Sequence, residues 1–421
     1  MNTRELDISN LSDEDAHLLH EFLLTDEAET RKDRKIKLFT PGDIHPYQLQ
    51  TISFQGSKIF FRTKGEGDAP AKYTYTVYAN KNFIGEGGYA KVYSASGKLE
   101  HIDGKMVYTK DKSEVIKRHE RRHDNAKYEC RIAQIFPETK TKKTTTVYHN
   151  GARCLSFNVM ANIPDTDFSD TIWNEGQYTI LQSLQLMISA WTDLKKIDNA
   201  GIIHRDIKPR NMRVDHSTLS IRILDFGLAR EKEISNENEK YCGTRLWMSP
   251  EMIADFKIAG AASDVYSMGM VSRALFCDVT IIYSRKMQKN TFFAMRKSQY
   301  ANNEKYPVVF KHKFRQKWMR EYPSVDIKLL EDILLGATTS RPEHRSTIDE
   351  VLSALKSLQS LLLQVKISAA IQNDNAETDT AKDTYADCND LLFRPITTQH
   401  RVLNFLEDGA DRRIPVFSIP L

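Results

Sequence analysis

The stretch His204 to Asn211, HRDIKPRN, followed at Asp225-Phe226-Gly227 by a second short motif, constrains this chain more than any other feature. It puts an Asp, a Lys, an Asn and a second Asp on two loops close in sequence. Asp206 can accept a proton from a hydroxyl. Asn211 and Asp225 are hard oxygen donors, the kind that Mg²⁺ requires. A chain carrying this set must fold so that the two loops lie side by side. The set suits phosphoryl transfer, in which positioning and charge neutralisation provide most of the catalysis.

Other stretches fall in an informative order. Gly85-Glu86-Gly87-Gly88-Tyr89-Ala90-Lys91-Val92 is glycine-rich and lies between β-prone flanks, YTYTVYANKNFI and VYSA, so a hairpin is expected. Glycines there let backbone N–H groups approach phosphate oxygens, although alone such a loop is as readily an ordinary turn. Lys117 follows Val115 and Ile116 in EVIKR; a lone Lys in a strand is usually a solvated edge charge. The long stretch between Val92 and Val115 holds Asp103-Gly104, a turn signal that predicts an extra hairpin or extended loop. Glu129 lies in AKYECRIAQIF, an amphipathic helix pattern with Tyr128, Ile132, Ile135 and Phe136 on related faces. Glu120 is a rival for its place, but it sits too close to Lys117.

In this order the motifs resemble the protein kinase superfamily, of the eukaryotic serine/threonine type, over about residues 76 to 365. The resemblance implies an α+β, bilobal fold: an antiparallel-sheet small lobe at 76–160, a hinge at 161–163 and a mainly helical large lobe at 164–365. Residues 1–75 and 366–421 are then N- and C-terminal extensions. It further implies ATP and Mg²⁺ between the lobes. Gly85, Gly87 and Gly88 would cover the phosphates, and Val92, Val115 and the gatekeeper Met160 would wall the base. Asp167 falls where the family contacts the ribose. Lys117 would hold the α- and β-phosphates and pair with Glu129. Asp206 would be the catalytic base, Lys208 the partner of the γ-phosphate, and Asn211 and Asp225 the Mg²⁺ ligands. His204 would pack behind Phe226, and Arg345 would pair with Glu251 of Ser249-Pro250-Glu251. Asp264 and Gly269 resemble the helix beneath the catalytic loop. Lys208 and Thr244 are serine/threonine-type features.

Several positions depart from the family, among them Ala90 for its third glycine and Ser249 for an Ala. Ala133 stands where a Leu or Met usually braces the helix, implying a helix that needs outside support. Arg213 occupies the place of an apolar residue under the adenine; either its stem covers the ring or nucleotide binding is altered. Arg210 replaces the Glu of basophilic kinases and argues against a strongly basic substrate. In the activation segment Lys240 takes the usual phosphosite, so Glu237 or Glu239 is expected to stand in for phosphate, with Ser235 and Tyr241 as alternatives.

At 421 residues the chain accommodates a two-lobed core, and its net charge of +4 carries no general nucleic-acid affinity. Basic patches near 31–35 and 140–143 read as solvated surface. Five cysteines (Cys130, Cys154, Cys242, Cys277 and Cys388) form no CxxC pair and fit a reducing, cytoplasmic setting. Neither a signal peptide nor a membrane span is expected. Leu6 to Glu29 reads as partly helical, with Ser12 and Glu14-Asp15 as a capping start, and TISFQGSKIFFRT as two short strands. A helix from Thr347 to Ile371 should precede a polar, irregular stretch and an apolar end segment that could dock in cis or on an activating partner. Divergent cores with unfamiliar flanks also resemble bacterial effector kinases delivered into a host cytosol. A pseudokinase scaffold that binds nucleotide and partners, and a small-molecule kinase, are the rival functions.

Overall fold

The computed structural model describes residues 2–6, 12–16, 38–39, 50–54, 57–64, 72–86, 90–102, 105–119, 123–139, 141, 144–149, 152–163, 165–173, 176–233, 243–255, 258–278 and 307–377. Near the N-terminus lie β1 (Asn2–Leu6), β2 (Leu38–Phe39), β3 (Gln50–Phe54), β4 (Ser57–Lys64) and β5 (Lys72–Ala79). The expected capping start is present as one turn, in which Ser12 Oγ accepts from Asp15 N at 3.1 Å. Most of the helix expected up to Glu29 lies outside the described residues. The strands expected around Gln55-Gly56 are β3 and β4. They do not pair with each other: β3 lies parallel to β1, and β4 antiparallel to β5.

The glycine-rich stretch joins β6 (Phe83–Glu86) to β7 (Ala90–Ser94), antiparallel as its flanks predict. The expected extra hairpin is β8 (Gly97–Ile102) and β9 (Lys105–Thr109), antiparallel with Ile102 opposite Lys105. Tyr108 explains Gly97: a Cβ there would come within 2.4 Å of its ring. Then follow β10 (Glu114–His119), α1 (His123–Gln134), β11 (Thr144–His149) and β12 (Ala152–Ala161). The strands form two five-stranded sheets, ordered β11-β12-β10-β7-β6 and β2-β4-β5-β8-β9. Tyr78 of β5 packs with Tyr93, Ile116, Phe157 and Val159 of the first sheet, and Thr76 donates to the buried Glu114 carboxylate at 2.8 Å. The lobe start expected at residue 76 therefore falls inside a strand that belongs to both neighbours.

The helical lobe begins with β13 (Thr166–Asp167), α2 (Phe168–Trp173) and α3 (Ile180–Asn199). Thr179 and Gln182 form a capping box that starts α3, and Trp191 on its inner face donates to Ser272 at 3.1 Å. Two short antiparallel ladders position the loops of interest. One pairs β14 (Ile202–Ile203) with β17 (Arg230–Glu231); the other orders β13, β15 (Met212–Asp215) and β16 (Ser220–Ile223). Alternation sends Met212, Val214, Ile221 and Ile223 into the core. Below lie α4 (Pro250–Ala254), α5 (Ala261–Phe276), α6 (His312–Glu321), α7 (Lys328–Ala337) and α8 (Ile348–Glu377). Gly269 lets α5 meet the end of α7: a Cβ would fall 2.8 Å from Thr338 Cγ2. The helix α8 runs past residue 365 into Asn373 to Glu377, which the sequence reads as irregular. The architecture is α+β with two lobes, as expected. Among the described residues no helix is long and apolar enough to cross a membrane.

Candidate active site

Lys117 sits on β10 between Val92 of β7 and Asn158 of β12. Its Nζ donates to Glu129 Oε1 on α1 and to Asp225 Oδ1, each at 2.6 Å. Burial opposes the Lys117 charge, but Asp225 and Glu129 raise its pKa above the ordinary lysine value. Crowding pushes Asp225 up; Lys117 pulls it further down, leaving the carboxyl below the usual range. Burial raises Glu129 against the pull of Lys117. Asp225 has a left-handed backbone, φ 67° and ψ 75°, and Gly227 follows because a Cβ there would lie 3.1 Å from Asp225 Oδ1 and 3.2 Å from Glu129 Oε2. His119, two residues past Lys117 and on the same strand face, puts Nε2 3.7 Å from Glu129 Oε2. Burial, with Lys117 beside it, pushes its pKa down to about 3, so it is neutral beside the pair.

The helix α1 is held by more than this pair. Phe136 stacks on Phe226, centroids 5.0 Å apart and planes within 8°. It lies just past α1, and Thr139 holds the turn by donating to the carbonyls of Ala133 and Phe136 at 2.8 and 2.9 Å. Phe136 thus reaches the ring of Phe226, in one buried cluster with Ala133. Ile135, expected on the same face, is exposed because the helix ends at Gln134 and the chain turns. Tyr128 Oη accepts from Glu231 N at 3.0 Å, and Arg131 pairs with Glu231 at 3.2 Å.

The catalytic-loop backbone is anchored from below. Both oxygens of the buried Asp264 accept N–H groups, from His204 at 2.6 Å and Arg205 at 2.9 Å; burial raises its pKa and His204 lowers it in part. His204 packs against Phe226 with centroids 5.2 Å apart, and Arg205, at φ 64°, donates from Nε to Leu228 O. Above this frame, Asp206 Oδ2 accepts from Lys208 at 2.6 Å and Oδ1 from Thr244 Oγ1 at 2.7 Å, while Lys208 also donates to Thr244 at 2.9 Å. Asn211 Nδ2 donates to Asp206 O at 2.9 Å and to its carboxylate at 3.2 Å, which leaves the amide oxygen as an acceptor. That oxygen and the half-exposed Asp225 carboxylate are a donor set that fits Mg²⁺, which keeps waters and phosphate oxygens in its shell. Among the described residues no cluster of three or more His, Cys, Asp or Glu forms a closed metal cage.

Among the residues expected to take the nucleotide, Val115 pairs with Met160 across β10 and β12, and Gly85 with Val92 across β6 and β7. Gly87 and Gly88 lie outside the described residues, as do Glu120, Ser235, Glu237, Glu239, Lys240 and Tyr241. Asp167 and Arg213 are cross-strand partners and form an ion pair at 3.0 Å. Arg210 is exposed. Arg345 makes a bidentate pair with Glu251, at 2.7 and 2.9 Å, with both side chains almost fully buried. Sequence reasoning missed Phe136, His119 and the Glu231 tether. Strand alternation from Lys117 could have found His119; nothing local announces the other two.

A model of the protein kinase domain matches residues 78–355. Calcium/calmodulin-dependent protein kinase type 1 of Caenorhabditis elegans is 26% identical over 261 residues, 59% of this chain and 69% of its own length. A mitogen-activated protein kinase of the same organism is 25% identical over 299 residues, 66% of this chain and 64% of its own. A probable serine/threonine-protein kinase of Corynebacterium efficiens is 30% identical over 194 residues, 45% of this chain but only 29% of that protein.

Proposed function

The chain belongs to the protein kinase family, and from that premise we propose that it transfers the γ-phosphoryl group of Mg-ATP to serine or threonine hydroxyls of proteins. The observation that carries the reading is Lys117 bridging Glu129 and Asp225 in the same arrangement that gathers Asp206, Lys208, Thr244 and Asn211.

Lys117, charged throughout the working pH range, binds the α- and β-phosphates. Asn211 and Asp225 would hold Mg²⁺, which would supply neutralisation of the phosphate charge. Asp206 orients the substrate hydroxyl in line with the γ-phosphorus. The bond from that phosphorus to the ADP oxygen breaks, the bond to the hydroxyl oxygen forms, and the proton passes to Asp206. A carboxylate is a weak base, so orientation is its larger contribution. Lys208 is held by Asp206 and Thr244 next to the transferred group, where its charge is worth most. The exposed Arg210 disfavours a basic peptide beside it. The Phe136–Phe226 stack supplies internal support to the helix that carries Ala133.

The test is phosphate transfer from labelled ATP with Mg²⁺ to acidic and basic protein substrates, comparing wild type with Asp206→Ala and Asp225→Ala. Transfer by the wild type alone is the expected outcome. A folded wild type that binds ATP but transfers nothing would make the chain a nucleotide-binding scaffold, and labelling of a metabolite but no protein would make it a small-molecule kinase.

A further inference from the structure

On β15 the side chains of Met212 and Val214 are fully buried in the large-lobe core, so Arg213 between them projects from the opposite face, that of the cleft. Its cross-strand neighbour is Asp167, at the end of the short strand that follows the hinge. The guanidinium Nη1 stands 3.0 Å from Asp167 Oδ2, with side chains only 29% and 28% exposed. The other carboxylate oxygen accepts two further donors, Ser169 N at 2.8 Å and Ser169 Oγ at 2.6 Å. A carboxylate offers about four acceptor positions; two on one oxygen are engaged by Ser169, and the other oxygen faces the Arg213 cation in an ion pair. An arginine does not deprotonate in a protein, so no accessible pH releases Asp167 from it.

We propose that Arg213 determines how this chain reads the sugar of its nucleotide: by engaging Asp167 it withdraws the carboxylate from the ribose hydroxyls, so that ATP and its deoxy analogues are used alike. The inference rests on the reading of the cleft as a nucleotide site. A ribose O–H is a neutral donor, and to reach Asp167 Oδ2 it must compete with the guanidinium charge 3.0 Å away. The methylene stem of Arg213 can meanwhile offer the base an apolar surface. Binding of the base is thereby kept while sugar recognition is lost. The two positions, far apart in sequence, act as one unit: an apolar side chain at 213 would leave Asp167 open to the sugar.

The experiment measures kcat/KM of the full chain for ATP, 2′-deoxy-ATP and 3′-deoxy-ATP. In the wild type the three should agree within about threefold, less than the effect of one hydrogen bond to a charged group. Arg213→Met frees Asp167, and ATP should then be preferred over at least one deoxy analogue by about tenfold, through KM, as one such bond provides. Asp167→Ala added to Arg213→Met should abolish that preference. A wild type that already favours ATP tenfold overturns the inference and leaves the kinase reading intact. So does an Arg213→Met variant that loses activity equally with all three nucleotides, since Arg213 would then act only structurally. A wild type that turns over none of them overturns both. The wild-type comparison needs no variant to fold.

Discussion

Replacing Phe136 with Ala tests whether the ring stacked on Phe226 holds α1 in place. Phe136 is 7% exposed, so the substitution removes a nearly complete burial and leaves a void. Truncations of buried Phe to Ala cost about 3–5 kcal/mol, of which the ring–ring contact contributes about 0.5–1.5 kcal/mol beyond area. The other links between α1 and the segment after Phe226 are weaker. The Arg131–Glu231 pair is 59% and 36% exposed, and exposed pairs contribute about 0–1 kcal/mol. The Tyr128–Glu231 hydrogen bond adds about 1 kcal/mol. Losing the stack therefore removes most of the hold, and Glu129 can leave Lys117. Urea unfolding should show a loss of about 3–5 kcal/mol. Phosphoryl transfer in the folded variant should fall by about tenfold or more, the factor that 1.4 kcal/mol of displaced equilibrium produces. Ala133→Leu on the Phe136→Ala background should recover part of both by filling the space one turn earlier. A Phe136→Ala protein with wild-type activity and less than about 1 kcal/mol of destabilisation, below the range for buried aromatics, would refute the reasoning.

Other substitutions follow from the same geometry. His119 binds a proton near 6.5 when unfolded and near 3 when folded, so between those values the unfolded state holds the extra proton. Stability from this residue is complete above pH 6.5 and lost as pH falls; acidifying from 7 to 5 should cost about 2 kcal/mol through His119. His119→Gln should lose that much less in urea unfolding at the two pH values. Arg345→Ala strands the buried Glu251 carboxylate and should destabilise by about 3–5 kcal/mol in thermal or urea unfolding, while replacing both residues with Met should recover most of it. Thr244→Val removes the donor to Asp206 and the acceptor for Lys208; kcat should fall at least about tenfold, whereas Thr244→Ser should stay close to wild type.

Much of the candidate site could be read from the order of residue types. Lys117, Glu129, Asp206, Lys208, Asn211 and Asp225 are named from motifs whose order resembles the kinase family, and hydrogen bonds join them into two neighbouring clusters. Phe136 was not legible as a brace, because its position depends on the helix stopping at Gln134 and on Thr139 folding the chain back over the last carbonyls. The Asp167–Arg213 pair depends on the register of two short strands whose sequences carry no pairing signal. The hairpin at 97–109 was legible from Asp103-Gly104, but not its membership in a second sheet, since that is decided by Tyr78 and Thr76 packing across to β10 and β12. The end of α8 was misjudged because a polar run carries no apolar period by which a helix end differs from an irregular stretch.

The position of β5 bears on how a shorter version of this protein could be produced. A cut before residue 76, where the motifs suggest a kinase begins, would sever β5 midway and strip β8 of half its partner. The β8–β9 hairpin would then present unsatisfied backbone groups along a bare edge, ready to pair with another chain. A fragment beginning upstream of Ser57 carries both β4 and β5 and keeps that edge covered. The smallest self-sufficient catalytic piece therefore includes part of what sequence comparison would discard as an extension.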